Sequence, residues 1–169
     1  MEISKQLQFK VTIEEIDQFG HSIKHWLPFS DTVGALKILS KYFKLVIVSN
    51  IDNESINETK KLLSVPFYRT YTAQEMKAYK PDIRVFNYVF DQLSMVSIFK
   101  NEILHVAESL YHDHIPAAKL DLDSVWINRR FDKPGSGATP DVASEHIPAL
   151  SFNSLMLFAE WVEKNMKSP

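Results

Sequence analysis

The sequence has the composition of an ordinary globular protein, with 169 residues of which 45% are hydrophobic and 12% aromatic. This length is sufficient for one domain with a full core. The formal charge of -2 offers no basic face for nucleic acid, and the absence of cysteine excludes disulfides, cysteine–zinc sites and thiol catalysis.

The N-terminal residues do not resemble an export signal, because no apolar segment follows a basic flank. No apolar run approaches the length of about 18 residues that a membrane span requires. We therefore expect a soluble, cytoplasmic protein that binds neither membrane nor nucleic acid. A homodimer is compatible with the sequence.

From residue 31 onward, amphipathic helices alternate with short apolar strands, which is the pattern of a parallel α/β sheet. Asp31 or Thr32 can cap the first of these helices, and "LVIV" then predicts a strand that is buried on both faces. Pro81 and Asp82 open a later helix. The pattern predicts, in order, a helix in "NESINETKKLL", a short strand in "FYRTYTA" and a helix in "PDIRVFNYVFDQL".

The same alternation continues to the C-terminus. It predicts strands in "EILHVAES" and "SVWIN", a short helix in "PAAKL", and a strand end followed by a helix in "SFNSLMLFAEWVEKNM". "DKPGSGATPDVASEH" is predicted to be a surface loop. Residues 1–27 break the pattern, because "LQFKVTI" alternates like a half-exposed strand and "IEEIDQFGHSIKHW" is helical with an interruption at Gly20.

Polar residues at the ends of the predicted strands are the first candidates for a site, because ligands of parallel sheets bind beyond the carboxyl ends of the strands. Ser49 and Asn50 could bond the oxygen of an anion, or they could simply cap the following turn or helix. Lys80 stands before Pro81, which stiffens its loop. Its ammonium could neutralise a substrate anion, or it could be an ordinary exposed lysine.

A third candidate lies in "HVAESLYHDHIPAA". Glu108 and Asp113 stand at and just beyond a strand end, and carboxylate oxygens of this kind suit magnesium. The histidines of this segment do not match a standard zinc motif. His105 is instead predicted to be a strand residue with a hydrogen-bond partner.

Taken in order, these three places resemble motifs II, III and IV of the haloacid dehalogenase (HAD) superfamily. The motifs are Ser49–Asn50, Lys80 in "YKPD", and Glu108–Ser109 with Asp113. The phrases "WLPFSDTVGALKILSKYFKLVIVSN", "LYHDHIPAA" and "VWINRR" are similar to the type II 2-haloacid dehalogenase-like branch, over about residues 21–130.

The resemblance implies a Rossmann-like parallel sheet with a helical cap. It also implies an aspartate nucleophile in motif I, which forms a covalent ester that water then hydrolyses. By resemblance, Ser49, Asn50 and Ser109 would bind the substrate, and Lys80 would balance the charge of the nucleophile. Glu108 and Asp113 would hold Mg²⁺ in a phosphatase, or would orient the catalytic groups and water in a dehalogenase.

The sequence departs from this family at motif I, since it contains no "DxxGT". Neither Asp17 nor Asp31 follows an apolar strand, and Asp31 is better interpreted as a helix N-cap. Motif IV has Glu108 where the family has aspartate. We interpret residues 1–27 as a remnant of the cap and linker and 28–169 as the HAD-like core, with the first strand and most of the cap missing. Loss of that central strand would leave two strands with unpaired backbone groups.

Two functions follow from the sequence. The first is a truncated haloacid dehalogenase-like hydrolase that acts on a small anionic organic substrate and lacks the nucleophilic aspartate of motif I. The alternative is a non-catalytic remnant of that fold that binds an anion or a protein partner. A response-regulator-like phosphoacceptor would need an aspartate at the end of a central strand, which the sequence lacks.

Overall fold

The computed structural model describes residues 8, 10–135, 140–143 and 147–166. The strands are β1 (Val46–Ser49), β2 (Arg69–Thr72), β3 (His105–Ala107), β4 (Ser124–Ile127) and β5 (Leu150–Phe152). The α-helices are α1 (Ile13–Gly20), α2 (Thr32–Leu39), α3 (Asn53–Leu63), α4 (Ala73–Met76), α5 (Ile83–Ser94), α6 (Ile115–Lys119) and α7 (Leu155–Asn165). The predicted alternation of helices and strands is confirmed. No helix in the described ranges is long and apolar enough to cross a membrane.

Residues 10–13 do not form the expected strand. Thr12 forms a capping box with Glu15, since each residue's side chain accepts a hydrogen bond from the backbone N–H of the other. This cap starts α1 at Ile13, within the segment "LQFKVTI" that was predicted to be extended. Residues 7 and 9 of that segment lie outside the described residues. The predicted interruption at Gly20 is confirmed, because α1 ends there and a 3₁₀ turn follows at His21–His25.

The strands form two parallel sheets where the sequence predicted one. β1 pairs with β2, with Val46 opposite Arg69. The second sheet has the order β3-β4-β5, with His105 opposite Ser124 and Val125 opposite Leu150. Within the described residues, β1 and β3 are therefore edge strands.

Helices cover both sheets and form two main apolar cores. Beside β4, helices α2 and α7 bury Ala35, Leu39, Val125, Ile127, Phe158, Ala159 and Val162. The second core lies at α5 and α6 and contains Ala78, Val85, Phe86, Ala117 and Leu122. Leu45 packs on the first core and Val48 on the second, so the segment of β1 contacts both.

β1 is less buried than its sequence predicted. All four of its residues are half-buried, whereas Val125 and Ile127 of β4 are buried. The difference follows from pairing, because among the described residues β4 has a strand on each side and β1 has a strand on one side only.

Asp31 is the N-cap residue of α2, but its side chain does not cap that helix. The Asp31 carboxylate accepts hydrogen bonds from the backbone N–H groups of Leu155 at 2.9 Å and Met156 at 3.2 Å, at the start of α7. It also pairs with Arg129, whose Nη1 lies 2.9 Å away. Burial would raise the pKa of Asp31, but Arg129 and the backbone N–H of Met156 outweigh burial and lower it. Asp31 thus joins elements that lie far apart in the sequence.

Candidate active site

Asn50 holds the backbone of Lys80. Its Oδ1 accepts a hydrogen bond from Lys80 N at 2.8 Å, and its Nδ2 donates to Lys80 O at 3.0 Å. These two bonds tie the end of β1 to the loop that precedes α5. The helix after β1 is capped by Asp52, so helix capping does not explain Asn50.

The side chain of Lys80 is largely buried, with 12% of its surface exposed. Its Nζ donates to the carbonyl of Val48 in β1 at 3.0 Å and to Oδ1 of Asp113 at 2.6 Å. A buried ammonium with an anionic partner is a fixed charge at the carboxyl end of β1. The structure therefore does not support the interpretation of Lys80 as an ordinary exposed lysine.

Asp113 lies at the centre of a buried cluster that it forms with Lys80 and His105. The same Oδ1 atom also lies 2.9 Å from Nε2 of His105, and the side chain is 7% exposed. Burial by itself would raise the pKa of Asp113, but hydrogen bonding and charge from His105 and Lys80 outweigh burial and lower it to about 2. Asp113 is consequently a carboxylate throughout the physiological range. His105 lies in a strand and has a hydrogen-bond partner, as the sequence predicted, although the sequence did not identify that partner.

This low pKa predicts a loss of stability in acid. Asp113 has a pKa near 3.8 when exposed and about 2 in the folded chain, so its contribution is complete above pH 4 and is lost between about pH 4 and pH 2. We expect the contribution to be about 2 kcal/mol. Urea unfolding of the wild type and of Asp113→Asn measures it from pH 6 to pH 2. An equal pH slope in both proteins would contradict the assignment.

A π-helical turn, Leu110–His114, brings Asp113 into the cluster. Ser109 caps this turn, because its Oγ accepts a hydrogen bond from the backbone N–H of His112 at 3.1 Å. At the end of the turn, His114 is buried between the carbonyl of Ala107 and the hydroxyl of Ser124. Burial lowers the pKa of His114. A neutral His114 that donates from Nε2 to the carbonyl and accepts at Nδ1 satisfies both bonds.

Glu108 and Asp113 do not form a magnesium site by themselves. Glu108 is exposed, whereas Asp113 is buried with its Oδ1 bonded to an ammonium group. Within the described ranges, no group of three or more histidine, aspartate or glutamate side chains is arranged to hold a metal ion. The cation that contacts Oδ1 of Asp113 is the Lys80 ammonium, at 2.6 Å. The donor set therefore does not fit Mg²⁺.

A cavity of about 490 Å³ lies beside Ser49 and Asn50. One part of its wall is polar, with Thr32 joining these two residues. The rest is mainly apolar and includes Ile23, Trp26, Leu27, Phe29, Ile51, Leu62 and Leu63. The Ser49 hydroxyl has no hydrogen-bond partner among the described residues. The cavity can therefore accommodate a small molecule with an apolar body and a polar end.

No protein-family model and no curated protein matches the chain. Solved structures do match. An L-2-haloacid dehalogenase superposes with a TM-score of 0.76 at 18% identity, over 97% of this chain and 68% of that protein. For the L-2-haloacid dehalogenase of Xanthobacter autotrophicus with covalently bound chloropropionic acid, the TM-score is 0.74 at 14% identity, over 96% of this chain and 71% of that protein.

A third structure is that of a protein described as a HAD hydrolase from Bacillus subtilis, bound to magnesium. It superposes with a TM-score of 0.62 at 21% identity, over 76% of this chain and 53% of that protein. The chain thus has the haloacid dehalogenase-like fold, as its motifs predicted. About a third of the first dehalogenase has no counterpart in this chain.

The structure brings together only part of the predicted set. Lys80 and Asp113 are in direct contact, and the Asn50 side chain bonds the backbone of Lys80. Ser49 faces the neighbouring cavity, and Glu108 and Ser109 lie outside the Lys80–Asp113 contact. Sequence reasoning did not predict that Asn50 would bind backbone or that His105 would bind Asp113. The eight-residue spacing from His105 to Asp113 has no periodicity that signals a contact.

Proposed function

We propose that the chain is the core of a haloacid dehalogenase-like hydrolase that binds a small organic anion in the cavity beside Ser49 and Asn50. The observation that carries the proposal is the buried Lys80–Asp113 pair at the carboxyl end of β1. Lys80 is linked through Asn50 to the cavity wall. A buried cation whose backbone is bonded to a residue of the cavity wall, together with the Ser49 hydroxyl in that wall, suits the binding and conversion of an anion.

The shape and lining of the cavity support an organic rather than an inorganic anion. Its apolar residues would contact the carbon skeleton, while the Ser49 hydroxyl would donate to a carboxylate oxygen. The predicted role of Asn50 in substrate binding is restricted, because its amide already bonds Lys80 on both sides. Its remaining N–H is the part that can reach a ligand.

The reaction requires a nucleophile that the described residues do not provide. Asp113 is the carboxylate beside Lys80, but it is 7% exposed and its Oδ1 accepts from two donors. A nucleophilic carboxylate would have to reach the same place from elsewhere. Lys80 would then stabilise its negative charge and keep it ionised.

With such a carboxylate in place, a 2-haloacid is the substrate that the cluster suits best. The carboxylate oxygen would attack the carbon that bears the halogen, and the halide would leave with the bonding electron pair. Water would then attack the ester carbonyl, releasing a 2-hydroxy acid, one proton and the original carboxylate. The buried pair of Lys80 and Asp113 favours this dehalogenation over Mg²⁺-dependent phosphatase chemistry, because the ammonium is the cation of the site.

The proposal is tested by separating binding from turnover. We expect 2-chloropropionate to bind the purified chain in calorimetric titration, and we expect no halide release from the chain alone. Ser49→Ala should weaken binding by about tenfold, the loss expected for one hydrogen bond to a charged group. Addition of Mg²⁺ should leave the affinity unchanged.

Ser64→Ala is the matched control, because Ser64 lies on the surface at the end of α3 and its hydroxyl bonds the carbonyl of Lys61. It should bind 2-chloropropionate like the wild type. Equal affinity of Ser49→Ala and the wild type would overturn the assignment of the anion site. Halide release by the chain alone would overturn the proposal that the nucleophile comes from elsewhere.

A further inference from the structure

Thr32 lies in the polar part of the cavity wall, at the first residue of α2. Its hydroxyl oxygen accepts a hydrogen bond from Nη2 of Arg129 at 3.3 Å. Among the described residues, this hydroxyl donates to no acceptor. A threonine hydroxyl carries one proton and two lone pairs. The proton of the Thr32 hydroxyl is therefore available to a molecule in the cavity.

Thr59 lines the same cavity and shows the usual alternative for a threonine in a helix. Its hydroxyl donates to the carbonyl of Ser55, one turn earlier in α3, at 3.1 Å. Threonine side chains within helices often bond the preceding turn in this way. The hydroxyl proton of Thr59 is thus used inside α3, so Thr32 can donate to a ligand and Thr59 cannot.

Arg129 is held in place by contacts other than Thr32. Its Nη1 bonds Oδ1 of Asp31 at 2.9 Å, and its guanidinium carbon lies 4.2 Å from the centre of the Phe29 ring. The Asp31 carboxylate is itself fixed by the backbone N–H of Leu155. With 16% of its surface exposed, the Arg129 side chain has little freedom to turn away. Arg129 therefore fixes the orientation of the Thr32 hydroxyl.

The bond from Arg129 has two consequences for Thr32. A guanidinium group only donates, so the Thr32 proton must point away from it. A hydroxyl that accepts from a cation is also a stronger donor, because neighbouring hydrogen bonds polarise one another. The nearby carboxylate of Asp31 does not oppose an anion, since its charge is paired with Arg129.

We infer that Thr32 is a second anion-binding residue of the cavity, in addition to Ser49, and that Arg129 is the positioning residue that directs the Thr32 proton to the ligand. Both hydroxyls lie in the cavity wall, and a carboxylate has two oxygens that can each accept a hydrogen bond. Arg129 also holds the ring of Phe29, an apolar residue of the same wall. The inference rests on the proposed function, because it assigns a further contact to the same organic anion.

Replacement of Thr32 by valine tests the contact, because valine keeps the branched shape and lacks the hydroxyl. Thr32→Val should weaken binding of 2-chloropropionate by about tenfold in calorimetric titration, the loss expected for one hydrogen bond to a charged group. Thr32→Ser keeps the hydroxyl and should bind within about twofold of the wild type. Thr59→Val is the matched control and should bind like the wild type, because its hydroxyl proton is already used. Equal affinity of Thr32→Val and the wild type would overturn the inference.

A neutral ligand separates loss of an anion contact from a change in the shape of the cavity. 2-Chloropropionamide has the same carbon skeleton and halogen as 2-chloropropionate but carries no charge. Thr32→Val should weaken its binding by no more than about threefold, because a hydrogen bond between neutral groups contributes less. Equal losses for the amide and the carboxylate would overturn the assignment of Thr32 as an anion-binding residue.

The wild type allows a measurement that needs no substitution. With isotope-labelled threonine methyl groups, 2-chloropropionate should shift the Thr32 signal in NMR spectra. The titration curve of that signal should give the dissociation constant that calorimetry measures. An unchanged Thr32 signal at saturating 2-chloropropionate would overturn the inference.

A double-mutant cycle tests the role of Arg129. Arg129→Lys keeps the charge but loses the planar group that reaches Asp31 and Thr32 together. It should weaken 2-chloropropionate binding by about tenfold in the wild type and by no more than about threefold in Thr32→Val, because residues that act through one contact are not additive. Equal losses in the two backgrounds would overturn the assignment of Arg129 as the positioning residue.

The outcomes distinguish this inference from the proposed function. A loss with Ser49→Ala and none with Thr32→Val would overturn the inference and leave the proposed anion site intact. A loss with Thr32→Val and none with Ser49→Ala would support Thr32 and overturn the role of Ser49. Halide release by the chain alone would affect the proposed source of the nucleophile and not Thr32. No binding of 2-chloropropionate at about 10 mM would overturn both.

Discussion

Replacing Asp113 by alanine should destabilise the chain by about 3 to 5 kcal/mol, the cost of removing one partner of a buried ion pair. Lys80 is 12% exposed and pairs with Asp113 at 2.6 Å, so the substitution leaves a buried ammonium without its anion. His105 loses its hydrogen-bond partner at the same time. Urea unfolding at pH 7, followed by circular dichroism, measures the change.

The exposed pair of Lys61 and Glu58 is the control for this prediction. Its atoms are also 2.6 Å apart, but the two side chains are 70% and 38% exposed. Lys61→Ala should therefore change the free energy of unfolding by less than about 1 kcal/mol. The double substitution Lys80→Met with Asp113→Leu should recover part of the loss, because it removes both charges together. Equal effects of Asp113→Ala and Lys61→Ala would contradict the burial argument.

The sequence predicted the parts of the fold that depend on local pattern. Helix α3 coincides with the predicted "NESINETKKLL", and α5 begins after Pro81 and Asp82 as expected. Periodicity and capping residues define such elements within a few residues of the chain. The π-helical turn at Leu110–His114 was not predicted, because no sequence rule distinguishes it from an ordinary helical start.

For the candidate site residues, the sequence indicated a common edge of the sheet and did not indicate the contacts that the structure shows. Strand-end logic placed Lys80 and Asp113 on the same edge, and the structure joins them. The same logic could not show that Asn50 binds the backbone of Lys80, because side-chain direction depends on tertiary packing. The division into two sheets could not be predicted from local sequence patterns either. Such patterns do not show which strands are neighbours, and an apolar segment such as "LVIV" is compatible with an edge strand and with a central strand.

Asp31 is a second example, because its position before α2 was predicted but the contacts of its side chain were not. It precedes α2 as predicted, yet its carboxylate bonds Arg129 and the start of α7, more than 90 residues away in sequence. Arg129 in turn stacks over Phe29, with the guanidinium carbon 4.2 Å from the ring centre. The phrase "VWINRR" therefore contributes an arginine that holds the two ends of the core together.

Replacing Asp31 by alanine should destabilise the chain by about 3 kcal/mol, because it removes a helix cap and one partner of a half-buried ion pair. Asp31→Asn keeps an acceptor for the N–H groups of α7 and loses only the charge. Its loss of unfolding free energy should therefore be about half that of Asp31→Ala. Asp52→Ala is the control, since Asp52 caps α3 at the surface without an arginine partner among the described residues, and it should cost about 1 kcal/mol. Urea unfolding of the three variants measures their free energies of unfolding and so ranks the three losses. Equal losses for Asp31→Ala and Asp52→Ala would show that the link to Arg129 and α7 contributes nothing beyond an ordinary cap.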